Sequence, residues 1–263
     1  AVILSDIVEV NYSPICRGIA KELSQGLDNG DGNGTAADGQ LHVDEIDTMY
    51  GGIICPNVIM IKDINSGSGS SSPGIFTAIG NTLYFRANDG TNGIELWKSD
   101  GTASGTVMVK DIYSGSSSSY PNSLTAVGNT LYFSANDGTN GDELWKSDGT
   151  ASGTVMVKDI VSGSGSSYPN YLTAVGNTLY FIANDGTNGY ELWKSDGTAT
   201  GTVMVKDIRS GSSSSPTYLT AVGNTLYFRA NDGTNGIELW KSDGTASGTV
   251  MVKDIYSGSS SSY

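Results

Sequence analysis

The sequence predicts a mainly β protein: a β-propeller-like array of four-stranded antiparallel blades, preceded by a small helix-loop-helix module. Three observations lead there. Trp97, Trp145, Trp193 and Trp240 each lie in the string Glu-Leu-Trp-Lys-Ser-Asp-Gly-Thr, at spacings of 48, 48 and 47 residues. A fixed period of roughly 20 to 50 residues marks a solenoid, a propeller or an array. Within each period, short apolar runs alternate with turns rich in Gly, Asn and Asp, whereas residues 1–56 are not repeated and contain both cysteines.

The 263 residues are 37% hydrophobic, enough for a core if the strands are covered on both sides. The 36 glycines and many serines gather in connectors such as Ser66–Ser72 and Ser114–Ser119. A formal charge of −13 with only 14 Lys and Arg argues against nucleic acid, whose binding rests on neutralising phosphates, and against anionic membrane surfaces. No apolar run approaches the roughly 20 residues of a membrane helix, so no membrane insertion is expected. The chain opens on Ala1 without a basic leader region, which suits a processed, exported form and an extracellular or cell-surface location.

The first module spans 1–56. Ile15, Ile19, Leu23 and Leu27 recur at four-residue steps, with Cys16 on the same stripe, and Ser13-Pro14 supplies a cap and a first helical residue. A helix over about 13–26 follows. Cys16 and Cys55 bracket most of this module, and a disulfide is the simple reading. Closing a loop of about 40 residues would stabilise it by roughly 3 to 4.5 kcal/mol in an oxidising compartment. Two free thiols are the alternative.

Residues 28–45 form a run of small oxygen-bearing side chains that ends in Leu41, Val43 and an acidic pair. Oxygen ligands at alternating positions, a glycine for a sharp turn and a terminal bidentate Glu are what a calcium loop needs. Asp38, Gly39, Gln40, Leu41 and Glu45 fit the second half of the EF-hand pattern. The first half departs from it, since Gly34 and Ala36 stand where ligands belong. An enlarged loop, with Asp28, Asp31 and Asn33 folding back beside Asp38, Gln40 and Glu45, would complete a calcium site. A solvated acidic turn is the other reading.

The repeat domain runs over 57–263, with units at about 75–123, 124–171, 172–218 and 219–263. In the second unit, strand a is Leu124–Val127 and Gly128-Asn129 turns the chain into strand b, Thr130–Ala135. The turn Asn136–Gly141 leads to strand c, Glu143–Lys146. Ser147–Gly153 then leads to strand d, Thr154–Ile160. Leu131-Tyr-Phe133, Leu144-Trp145 and Val155-Met-Val157 are unbroken apolar runs, so both faces of each sheet must be covered. Four short strands covered on both faces by copies of themselves describe a propeller blade, and about 48 residues suits one.

The four copies of Glu-Leu-Trp-Lys-Ser-Asp-Gly-Thr, each followed by Gly-Thr-Val-Met-Val-Lys-Asp-Ile, resemble the ELWxxDGT repeats of large prokaryotic secreted and cell-surface proteins. The resemblance covers 57–263. It implies propeller-like repeats on a surface protein and no defined activity. The turn between strands c and d is also similar to the Asp-box turn of sialidase-type propellers, with Asp100, Asp148, Asp196 and Asp243 accepting backbone hydrogen bonds.

No catalytic set stands out. His42 is the single histidine, and no Cys/His pair, Ser/His/Asp set or zinc spacing accompanies it. The arginines Arg86, Arg209 and Arg229 are unit-to-unit variants rather than a cluster. Differences between units fall at Arg86/Ser134/Ile182/Arg229, Ile94/Asp142/Tyr190/Ile237 and Tyr113/Val161/Arg209/Tyr256, chemistry mixed enough to suggest exposed or interface positions. Tyr120, Tyr168, Tyr171, Tyr218 and Tyr263 add aromatic surface suited to stacking on sugars or to packing.

The ends of the array set the functional expectation. Asn57–Ile64 reads as an extra strand d, so five d strands accompany four a/b/c sets. One strand is left over. In a closed ring the early strand would complete the last blade and free Thr249–Ile255 for a neighbouring molecule, and edges of this kind template strand addition and fibres. The chain also stops in mid-linker, as a piece of a longer array would. These features predict a non-enzymatic extracellular structural protein, a filament or appendage subunit that self-associates. A calcium-dependent adhesin or glycan-binding module is the alternative.

Overall fold

A computed structural model describes residues 60–255, 257 and 258. The predicted module over 1–56, with its helix, the Cys16–Cys55 pair and the ligand set Asp28, Asp31, Asn33, Asp38, Gln40 and Glu45, lies outside the described residues.

Among the described residues sixteen strands build four four-stranded antiparallel sheets, each a meander in chain order. Unit 1 contains β1 (Gly74–Ile79), β2 (Thr82–Asn88), β3 (Ile94–Ser99) and β4 (Val107–Lys110). Unit 2 contains β5 (Asn122–Val127), β6 (Thr130–Asn136), β7 (Asp142–Ser147) and β8 (Val155–Lys158). Unit 3 contains β9 (Asn170–Val175), β10 (Thr178–Asn184), β11 (Tyr190–Ser195) and β12 (Val203–Lys206). Unit 4 contains β13 (Thr217–Val222), β14 (Thr225–Asn231), β15 (Ile237–Ser242) and β16 (Val250–Lys253). The all-β, blade-like architecture follows the sequence expectation.

Local chemistry fixes each turn. Gly128 has φ 58° while Asn129 stays at negative φ, so the β5–β6 hairpin closes as a type II′ turn. In the next turn Asp137 accepts from Thr139 N at 2.9 Å, Asn140 N at 2.8 Å and Asn140 Nδ2 at 2.7 Å. Asp148 then accepts from Thr150 N at 2.8 Å and Thr150 Oγ1 at 2.7 Å, the role expected of it and of Asp100, Asp196 and Asp243. Both carboxylates are held ionised below their ordinary range. Hydrogen bonds from Thr150 do so at Asp148, whereas at Asp137 burial works the other way and donors from Asn140 and Thr139 outweigh it.

A buried glutamate in strand c ties the linker back to its sheet. Glu95 is fully buried and accepts from Ile112 N at 2.9 Å, Ser119 N at 2.8 Å and Ser119 Oγ at 2.6 Å. Glu143 and Glu191 repeat the arrangement with Ser167 and Ser214. Burial pushes these three carboxyls up, against the hydrogen bonds they accept.

The core lies between units. Tyr84, Leu96, Val109 and Ile112 of unit 1 pack with Leu124, Leu131, Phe133, Ala135 and Trp145 of unit 2. Equivalent clusters join unit 2 to unit 3 and unit 3 to unit 4. Each unit therefore has a leading face and a trailing face, and the unbroken apolar runs are explained because alternate residues feed different neighbours. Burying one Leu or Phe in such a layer contributes about 1.5 to 3 kcal/mol. Strand β1 lies beside β5, β5 beside β9 and β9 beside β13, with no comparable contact from β13 to β1 among the described residues.

Two sequence expectations need correction. Strand d is shorter than Thr154–Ile160, running only over Val155–Lys158: Thr154 O accepts from Lys110 Nζ of the preceding unit at 2.8 Å and Ile160 N donates to Glu143 Oε2 at 3.1 Å, so these backbone groups are used outside the ladder. The described part of the surplus strand, residues 60–64, joins no sheet, and the last blade is completed by its own β16. Residues 61–64 instead side with unit 1. Lys62 Nζ donates to Thr106 O at 2.8 Å, the bond that Lys110 makes to Thr154 O in the next unit.

Candidate interaction surface

Every seam between units is closed by the same polar fittings around its apolar layer. A strand-c lysine reaches forward to the Asp-Gly turn of the next unit: Lys98 to Gly149 O, Lys146 to Gly197 O and Lys194 to Gly244 O, each at 2.8 Å. A strand-d lysine lies over the next tryptophan, with Lys110 Nζ 5.8 Å from the Trp145 ring centroid, Lys158 5.9 Å from Trp193 and Lys206 5.8 Å from Trp240. A strand-a threonine bonds the next strand a, from Thr77 Oγ1 to Leu124 O at 2.8 Å and from Thr125 Oγ1 to Leu172 O at 3.2 Å. The hydroxyls of Tyr84, Tyr132 and Tyr180 lie against Gly149, Gly197 and Gly244, where any Cβ would collide with them. Burial raises the pKa of these phenols, and the carboxylates of Asp148, Asp196 and Asp243 add to it.

At unit 4 the leading face meets none of this among the described residues. Leu239 is 41% exposed, whereas Leu96, Leu144 and Leu192 are at 0%. Val222 is 60% exposed against 9% for Val127 and 8% for Val175, and Val252 and Ile255 are 45% and 63% exposed. The trailing face of unit 1 differs, because Phe85, Ala87 and Trp97 are as buried as their counterparts and Ile61 and Ile64 are buried with them.

The variable positions cluster in two places. Ile182 and Tyr190 line a shallow pocket of about 240 Å³ with Tyr168 and Pro216. Tyr113, Val161 and Arg209 lie against the glycines Gly138, Gly186 and Gly233 of the following unit. Arg229 stacks 4.6 Å from the Tyr218 ring centroid and donates through Nε to Thr217 Oγ1 at 2.7 Å. Tyr120, Tyr168, Tyr171 and Tyr218 are exposed, all at positive φ in a repeated bulge region beside proline. Among the described residues no group of three or more His, Cys, Asp or Glu is placed to hold a metal. The predicted calcium ligands and cysteines lie outside them.

Sequence reasoning missed the lysines and the buried glutamates. A signal was present: after residue 59 every lysine falls at one of two repeat positions, Lys98/146/194/241 or Lys62/110/158/206/253. In an acidic chain that restriction marks a structural duty.

No family model matches the sequence, and no curated protein matches it. Solved structures that match include a computationally designed protein, Ika8, at 18% identity and TM-score 0.42, covering 76% of this chain and 54% of that one. A puromycin hydrolase matches at 14% identity and TM-score 0.44, covering 68% and 29%. Oligopeptidase B from Leishmania major matches at 14% identity and TM-score 0.41, covering 65% and 25%. This chain spans about half of the designed protein and under a third of the two enzymes.

Proposed function

We propose that this protein is a non-enzymatic extracellular structural protein, the subunit of a surface filament or appendage, of the ELWxxDGT-repeat type. The observation that carries this reading is the open leading face of unit 4. An apolar surface that is buried three times within the chain is left exposed at the fourth. Two different, mutually complementary faces that meet head to tail without closing a ring extend into fibres. In this reading the segment 1–56 is a stapling module, held by Cys16–Cys55 and by calcium at Asp28, Asp31, Asn33, Asp38, Gln40 and Glu45. Electron microscopy of the native material at varied calcium tests it. Filaments are expected, and monodisperse rings or monomers at every calcium level would overturn it.

A second reading, a calcium-dependent adhesin or carbohydrate-binding propeller, is favoured by the exposed tyrosines and by the pocket under Tyr168 and Tyr190. Aromatic faces of this kind stack on sugar rings. A glycan array showing saturable binding, lost in Tyr168→Ala, would support it, and an array without hits would count against it.

A further inference from the structure

We infer that the leading face of unit 4 docks on the trailing face of unit 1 of a second copy of this chain, with β16 taking the place that residues 61–64 hold. The inference rests on the filament reading and names the two surfaces that meet.

The occupant is identified by the chain itself. Each leading face in units 1 to 3 is covered by a trailing face of the same repeat, so the chemistry that fits unit 4 is a unit of this sequence. Trailing faces of units 2, 3 and 4 are already used inside the chain. The trailing face of unit 1 is the one not covered by another repeat unit; it is buried, with Phe85 and Ala87 at 0% beside Ile61 and Ile64, so docking of a second copy there exchanges its present cover.

The unmet groups at the two ends correspond. On unit 4, Lys241 and Lys253 find no onward partners among the described residues like those that Lys194 and Lys206 find at Gly244 O and Thr249 O. Thr173 Oγ1 bonds both Tyr171 O at 3.0 Å and, across the seam, Leu219 O at 3.4 Å, whereas Thr220 Oγ1 keeps the local bond alone, to Tyr218 O at 3.1 Å, among the described residues. Their register mates on unit 1 are Gly101 O, Thr106 O and Phe76 O. Gly101 is open: an added Cβ there would meet nothing within 4 Å, while at Gly149, Gly197 and Gly244 it would strike a tyrosine hydroxyl. Tyr227 is the fourth member of that tyrosine series, and it is only partly buried. Phe76 is 41% exposed, at the position where Leu124 is buried in the first seam.

The acceptor at Thr106 O is held by Lys62 of the same chain. Residues 61–64 therefore act as a cap that lacks strands a, b and c, and Lys253 on β16 is the natural competitor for the bond. A complete leading face brings the apolar layer as well as the lysine. The exchange explains why the sequence carries five d segments for four units.

Sedimentation velocity and electron microscopy of the full chain test this. The unmodified chain should form head-to-tail polymers with concentration. Leu239→Asp and Lys241→Glu, both on exposed positions, should leave single chains with an unchanged circular dichroism spectrum, and Val222→Asp gives a second apolar probe. Lys62→Ala weakens only the cap and should lower the concentration needed for assembly by about tenfold, the value of one charge-assisted hydrogen bond. Filaments that persist unchanged in Leu239→Asp and Lys241→Glu would overturn the docking and leave the filament reading intact. Discrete closed dimers would overturn it in favour of face-to-face pairing. Single chains at all concentrations and calcium levels would remove the filament reading itself.

Discussion

Lys110 and Trp145 belong to neighbouring units, and the ammonium of the first lies 5.8 Å from the ring centroid of the second while donating to Thr154 O at 2.8 Å. One side chain thus spans the seam with two attachments. The pair repeats at Lys158/Trp193 and Lys206/Trp240. Strand d, the shortest strand of each unit, thus carries a lysine with two attachments across the seam, beside the single forward bond of the strand-c lysine.

Replacing Lys158 by Ala should therefore cost about 1 to 2 kcal/mol, from a part-buried cation–π contact and its bond to Thr202 O. Lys158→Met keeps the apolar stem and should recover part of the loss. Urea denaturation measures both, and an Ala variant as stable as the parent would discard the claim.

Gly149→Ala and Gly101→Ala separate backbone strain from packing. Both glycines sit at positive φ, 88° and 90°, so each substitution carries a strain of about 1 kcal/mol. Only at Gly149 does the new methyl meet the Tyr84 hydroxyl. Thermal melts of the single chain should show the larger loss at Gly149, and equal losses would mean that the seam tolerates the methyl.

Stability should peak between about pH 4 and pH 5, the ordinary range of carboxylates. Aspartates such as Asp137 and Asp148 have lowered pKa values, so their contribution is present above the ordinary aspartate range and is lost as pH falls through the lowered values. Glu95, Glu143 and Glu191 have raised values. Their contribution is present below the ordinary glutamate range and is lost as pH rises through the raised values. Denaturation midpoints across pH 2 to about 8 test this, and a Glu143→Gln variant should show a shallower decline on the alkaline side. A midpoint that climbs steadily to neutral pH would refute it.

Calcium should raise the thermal midpoint of the full chain, by mass action on the folded state. Glu45→Ala should abolish the gain. Differential scanning calorimetry with and without chelator decides it: identical midpoints would remove the calcium site from the proposal.

Much of the fold was legible because each unit repeats its punctuation. Gly128-Asn129, Asp137 and Asp148 are turn residues with local partners, and local chemistry can be read from neighbours in sequence. Strand ends were less legible. Strand a begins at Asn122, two residues before Leu124, because a bulge with Ser123 at φ 54° lets Asn122 pair with Ser134. Nothing in Asn-Ser announces that conformation. Glu143 looked like a strand residue, and its hydrogen bond to Ser167 across the linker is a tertiary fact. The split into leading and trailing faces was equally hidden, since Leu144 and Trp145 are adjacent in sequence and feed opposite seams.

The third linker is one residue shorter than the others, a loss absorbed where Ser212 N donates to Arg209 O at 2.9 Å, while Ser214 still reaches Glu191 and Lys206 still reaches Thr249. Unit length is thus not what the seams measure. A gene of such near-identical segments can gain or lose whole segments by slipped recombination, and every resulting junction is one the chain already knows how to make. Overall length then becomes a freely adjustable trait, open to selection without the invention of any new surface.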